Sequence, residues 1–160
     1  MGWLDECRDK CRQVKFLSEH MEWDEKSNHL GSLKATSQLL DESRTSIPGL
    51  YFKGVYSSKP VTGDVYSFAL MALQGREHHR VFMLEVYPPH VVSHRGKTEW
   101  LMGPHLHLGD ERLEQVTRAV HGNINSVSIT RWIERFRRHA QVRDNGGIRL
   151  THPLSDTLFG

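Results

Sequence analysis

The N-terminal part of the chain has the hydrophobic spacing of a helix. Six apolar side chains recur every three or four residues and predict an amphipathic helix that ends near residue 23: Leu4, Cys7, Cys11, Val14, Leu17 and Met21. Residues 24–48 are polar with scattered leucines, and their pattern leaves open an arm, a partly mobile segment or a short helix over 33–41. We therefore predict that residues 1–48 form a helical N-terminal extension.

From residue 50 onwards the pattern becomes typical of strands. Apolar and polar side chains alternate over residues 65–73, which places Tyr66, Phe68 and Leu70 on one face. Further strands are predicted by the runs at 50–57, 81–87 and 99–108. Because short polar turns separate these runs, the sequence predicts an antiparallel β-meander of four to five strands.

The last predicted element is an amphipathic helix over residues 128–142. Its apolar side chains share one narrow face: Ile129, Trp132, Ile133, Phe136 and Ala140. The elements together predict a single α+β domain over 1–160, in which 49–142 form a sheet with this helix packed on one face and 143–160 form a tail.

Length, charge and cysteine content narrow the functional classes. No apolar stretch reaches the ~18–20 residues needed to span a bilayer, and the acidic N-terminus is unlike a signal peptide. We therefore expect a cytoplasmic protein without a membrane partner. The net charge of +2 excludes a chain that is basic throughout. Cys7 and Cys11 are spaced i and i+4, which favours burial as small apolar groups over a disulfide or a zinc site.

Two of the eleven histidines alternate with leucines in the segment GPHLHLGDE, residues 103–111. In a strand, residues i and i+2 point the same way, so the two imidazoles are expected on one face and the leucines beneath the helix on the other. We predict that both imidazoles are solvent-accessible and that Gly109 turns two carboxylates around the strand end. The predicted catalytic set is His105, His107, Asp110 and Glu111.

This set of side chains supports two kinds of chemistry. A histidine with a pKa of about 6.5 can act as general acid or base, so His105 and His107 could divide these roles in RNA cleavage without a metal or other cofactor. A His-x-His pair with a carboxylate also binds divalent metals, and in that case His105, His107 and Glu111 are the ligands, as in a cupin motif. The cupin glycines are absent, since Glu99 and Arg118 stand in their positions.

Arginines on the predicted C-terminal helix form a second candidate site. Arg131, Arg135 and Arg138 lie at i, i+4 and i+7, opposite the apolar stripe. Such a face often only keeps a surface helix solvated. The functional alternative is that it binds the phosphates of RNA, or an acidic partner protein, through guanidinium groups.

Residues 104–111 resemble the PHxHxGDE-type signature of the TumE family, small bacterial toxins of toxin–antitoxin systems. The order of elements over 50–142 is also similar, whereas the N-terminal extension and the tail depart from that family. The resemblance implies a ribonuclease-like toxin that is neutralised by an antitoxin-like protein. Two alternatives remain open: a non-catalytic phage or mobile-element protein that binds a host protein or nucleic acid, and a small cupin-like metal-dependent enzyme.

Overall fold

The computed structural model describes residues 2–25, 31–60, 63–88, 91–95, 100–109, 112–115, 129–151 and 153. Over these ranges the chain is α+β, with helix α1 at Trp3–Arg12 and helix α2 at Ile129–Ala140. No helix in these ranges is both long and apolar enough to span a bilayer.

Most of the strands in the described ranges belong to one curled, mostly antiparallel sheet. The strands are β1 Lys15–Leu17, β2 Asp24–Glu25, β3 Ser32–Leu40, β4 Ser46–Lys59, β5 Gly63–Gln74, β6 Glu77–Val86, β7 Val92–Arg95, β8 Trp100–Met102, β9 His105–Leu108, β10 Arg112–Gln115 and β11 Val142–Arg143. The main sheet has the order β10-β9-β6-β5-β4-β3-β1-β11, with β2 also paired to β3, and β7 and β8 form a separate pair. Only β1 and β11 pair in parallel among these neighbours.

The predicted α+β class and the central antiparallel meander are confirmed, but the sheet has more strands than the four to five expected. Strands β4, β5 and β6 are consecutive antiparallel neighbours. Tyr66, Phe68 and Leu70 are all buried on one face of β5, as the alternation predicts. Helix α2 lies on this face, and the centroids of the Phe136 and Phe68 rings are 6.2 Å apart.

The N-terminal segment differs from its prediction. Helix α1 ends at Arg12, and β1, β2 and β3 join the sheet, so the expected helix through residue 23 and the alternative helix over 33–41 are wrong. In β3 the side chains of Ala35, Ser37 and Leu39 point inward while those between them are exposed. This alternation was missed because one inward position is occupied by serine, and a polar residue breaks the apolar periodicity.

The predicted strand over 99–108 is divided into two strands. Strand β8 pairs with β7, whereas β9 is inserted between β6 and β10 of the main sheet. Gly103, with a φ of 70°, lies at the break between them. A positive φ is readily adopted by glycine, so this residue lets the chain change direction and places β9 beside β6.

Candidate metal centre

Strand β9 carries the histidine pair, and its pairing with β6 determines what faces that pair. The register places His105 opposite Glu85 and His107 opposite Met83. Because side chains alternate along a strand, both imidazoles lie on the same face as the Glu85 carboxylate. Leu106 lies on the other face, within the core that also contains Phe136 of α2. The alternation of leucine and histidine therefore identified the correct face for each residue type.

The two imidazoles are buried, so the expectation that they are solvent-accessible is wrong. The His105 side chain is 1% exposed and that of His107 8%, while the Glu85 side chain is 22% exposed. The imidazole rings contact each other with 4.7 Å between centroids, and the Tyr87 ring stacks 6.0 Å from the His105 ring. The site is consequently a small cluster in which Glu85 has the most exposed side chain.

The distances within the cluster are those of a chelating group. One oxygen, Oε1 of Glu85, lies 3.3 Å from Nε2 of His107 and 3.6 Å from Nε2 of His105. One ligand atom from each of the three residues lies within 4.8 Å of the others. Bonds of about 2.1 Å from one metal ion place neighbouring donor atoms about 3.0–3.5 Å apart, so the observed spacing is close to that of three ligands of one ion.

A backbone contact sets the protonation of the His105 ring. Its Nδ1 lies 3.3 Å from the carbonyl oxygen of Gly103. Because a carbonyl only accepts hydrogen bonds, Nδ1 carries a proton and Nε2 is the atom left to bind a metal or a second proton. Histidine ligands of metals commonly make this second contact to a backbone carbonyl, which fixes the ring orientation.

The electrostatics of the cluster favour an ionised Glu85 carboxylate. Burial alone would raise the pKa of Glu85, but hydrogen bonds from His105 and His107 and their charge outweigh it and lower the pKa to about 2. Burial lowers the pKa of His107 and, with the positive charge of Arg80, outweighs the hydrogen bond with Glu85, which acts to raise it. Both shifts favour the deprotonated ligand forms that bind metal ions.

The end of β9 is held by a contact that includes Gly109. The Gly109 N–H donates to the carbonyl of Val81, and Nε of Arg80 donates to the carbonyl of Gly109 over 3.0 Å. Gly109 has a φ of 61°, and a side chain there would lie 3.1 Å from Leu4 of α1. The glycine predicted to end the strand therefore also allows the first helix to pack against it.

The structure brings together only part of the predicted site. His105 and His107 are adjacent, whereas Asp110 and Glu111 lie outside the described residues. The carboxylate that joins the histidines is Glu85, which the sequence analysis missed. A signal for it exists, since Glu85 is the single charged residue in the run VFMLEVY at residues 81–87. A lone acid within a buried strand requires a partner, because an isolated buried charge is costly.

The predicted arginine face is also only partly present. Arg131 and Arg138 are exposed on α2, but Arg135 is buried, with 8% of its surface exposed. Its guanidinium carbon lies 5.9 Å from the centre of the Trp132 ring. The expectation of three arginines on one solvated face is therefore wrong for Arg135, because this position packs beside the buried Trp132.

Comparisons of the chain with protein-family models, with curated proteins and with solved structures give no match. The resemblance of residues 104–111 to the TumE signature stays a prediction.

Proposed function

We propose that the protein is a metal-dependent enzyme that binds one divalent transition-metal ion through His105, His107 and Glu85. The observation that carries this proposal is the position of one Glu85 oxygen within 3.6 Å of Nε2 of both histidines. Three protein ligands are the number that catalytic zinc sites use, which leaves a coordination position for water or substrate. The ion would act as a Lewis acid, and a hydrolytic reaction is the class we infer.

The donor set narrows the choice of metal. Two imidazole nitrogens and one carboxylate oxygen suit zinc, iron or manganese better than magnesium or calcium, which prefer oxygen ligands alone. The proposal corresponds to the metal-dependent alternative from the sequence, with Glu85 taking the place assigned to Glu111. The 22% exposure of Glu85 supplies the route by which an ion reaches the buried imidazoles.

Titration of the metal-free protein with Co²⁺ tests this function. Treatment with a chelator, followed by addition of Co²⁺, should produce the visible absorption of a bound ion and saturate at one ion per chain. We expect His107→Ala and Glu85→Gln each to weaken binding by at least 10-fold, since even loss of a residue that only supports a ligand costs about 10–100-fold.

A second histidine–glutamate pair on the sheet supplies the matched control. Nε2 of His79 lies 3.4 Å from Glu77 in β6, outside the cluster and with the Glu77 side chain 80% exposed. His79→Ala and Glu77→Gln should leave Co²⁺ affinity unchanged. Absence of saturable Co²⁺ binding, or an equal loss in the control variants, would show that the cluster is a structural ion pair rather than a metal centre.

Metal-independent RNA cleavage is a second candidate function. The observation that favours it is the contact of one carboxylate with two imidazoles. Glu85 can stabilise one ring as an imidazolium, which acts as the general acid, while the other ring stays neutral and acts as the general base. RNA, with an antitoxin-like protein as regulator, is the partner in this case. One assay distinguishes the two candidate functions. RNA cleavage that persists in excess chelator supports catalysis by the histidine pair alone. Cleavage that requires added metal supports the metal centre.

A further inference from the structure

A cavity of about 300 Å³ lies beside β9, where Leu106, His107 and Leu108 contribute to its lining. Its floor is apolar and is formed by Phe82, Leu106 and Leu108. Its rim carries Arg8, Cys11 and Arg12 from α1 and His139 from the end of α2. This volume is at the small end of the range for ligand sites, and an apolar lining with a few convergent polar groups is their usual composition.

The two arginines on the rim lie one helical turn apart on α1. Residues i and i+4 of a helix are neighbours on its surface, so Arg8 and Arg12 project from the same side of α1. Arg8 pairs with Asp5 over 3.1 Å, and Arg12 pairs with Asp9 over 3.7 Å. The two aspartate side chains are 58% and 59% exposed. Such exposed ion pairs contribute little stability, so a ligand carboxylate that is held by both guanidinium groups can replace them.

The floor is suited to an apolar ligand body. Phe82 and Leu106 are buried in the core. The His139 ring stacks on the Phe82 ring, with 5.4 Å between the two centroids. We propose that this cavity binds a small amphipathic carboxylate, with its apolar part on Phe82, Leu106 and Leu108 and its carboxylate at Arg8 and Arg12. The inference does not require a bound metal, although His107 of the cluster also lines the cavity.

Calorimetric titration of the full chain with three eight-carbon probes tests this inference. Octanoate, octanol and octylammonium share an apolar tail and differ in the charge of the head group. We expect octanoate to bind saturably, with one molecule per chain. Octanol should bind at least about 10-fold more weakly, because the charge-assisted hydrogen bonds are lost. Octylammonium should bind more weakly still.

Two variants locate the site. Arg8→Gln combined with Arg12→Gln should weaken octanoate binding about 10-fold or more and leave octanol unchanged. Arg131→Gln combined with Arg138→Gln removes the same charge from exposed positions on α2 and is the matched control. Leu108→Phe should reduce binding of both probes by filling the floor of the cavity.

Three results would overturn the inference. These are octanol binding as tightly as octanoate, an equal loss of octanoate affinity in the α2 control, and the absence of saturable octanoate binding. Far-UV circular dichroism of each variant shows whether its helix content is retained, so that loss of binding is not confused with loss of α1.

Discussion

Oε1 of Glu85 lies 3.3 Å from Nε2 of His107. The two residues lie on different strands, and only His107 belongs to the GPHLHLGDE segment. The contact exists because β9 pairs with β6, and it brings a carboxylate to a pair of imidazoles.

Metal should stabilise the fold through Glu85. A ligand that binds only the native state at about 100 times its Kd raises the free energy of unfolding by about 2.7 kcal/mol. We expect Zn²⁺ to have an effect of this size on the wild type and a much smaller one on Glu85→Gln, measured by urea unfolding with and without the ion. Glu77→Gln, which changes an exposed carboxylate of the same strand, should respond like the wild type.

Expression of an RNA-cleaving toxin should arrest bacterial growth, and His107→Ala should relieve the arrest. Loss of one member of an acid–base pair costs about 10²–10⁴-fold in rate. Because His107 is buried, relief could also follow from unfolding, so a second variant is needed. Leu106→Ala, in the same strand, should cost about 2–5 kcal/mol of stability without touching the imidazoles. If Leu106→Ala relieves the arrest as fully as His107→Ala, the effect comes from instability and the catalytic role is contradicted.

The arginines of α2 should separate into two classes. Arg131→Glu and Arg138→Glu are expected to change stability by no more than about 0.5 kcal/mol each, because both positions are exposed. Arg135→Glu should cost about 3 kcal/mol or more, since it places a carboxylate where a buried guanidinium lay. Thermal or urea unfolding of the three single variants measures this difference.

The two exposed arginines also test the partner proposal. If α2 binds RNA phosphates, the Arg131→Glu, Arg138→Glu double variant should bind RNA more weakly, and the salt dependence of binding should fall by about one unit of slope for each lost contact. Fluorescence anisotropy with labelled RNA at several salt concentrations gives both quantities. Arg76→Glu, at the exposed turn between β5 and β6, is the control for net charge. Equal weakening by Arg76→Glu would show that the effect is not specific to α2.

Lys15 should make the stability depend on pH. Its side chain is fully buried, and Nζ donates to the carbonyl oxygens of Lys10 and Gln13 at the end of α1. Burial lowers its pKa from 10.5 to about 8. Between these values the unfolded chain binds more protons than the native one, so the free energy of unfolding rises with pH, by at most about 1.4 kcal/mol per unit for one proton.

Cys11 opposes Lys15 at higher pH. Burial raises the pKa of the Cys11 thiol from 9.0 to about 11, so above pH 9 the unfolded chain loses this proton first and stability falls. We expect the free energy of unfolding to rise between pH 8 and 9 in the wild type and to continue rising towards pH 10 in Cys11→Ser. Lys15→Met should abolish the rise. A flat profile over pH 8 to 9 in the wild type would contradict the assignment.

The sequence alone determined the features that depend on local periodicity. Alternation in β5 identified Tyr66, Phe68 and Leu70 as one buried face, and the leucine–histidine alternation assigned His105 and His107 to the face opposite α2. The apolar stripe of α2 was recognised for the same reason, since each face follows from the spacing of side chains along one element.

The tertiary structure decided which elements became neighbours. The pairing of β9 with β6 rather than with β8, the burial of the imidazoles, and the position of Arg135 beside the core all depend on contacts between residues distant in the chain. Hydrophobic periodicity specifies a face but not the strand that will lie beside it, because strand pairing is set by the packing of the whole sheet. Glu85 therefore joined the histidines through the order of the strands.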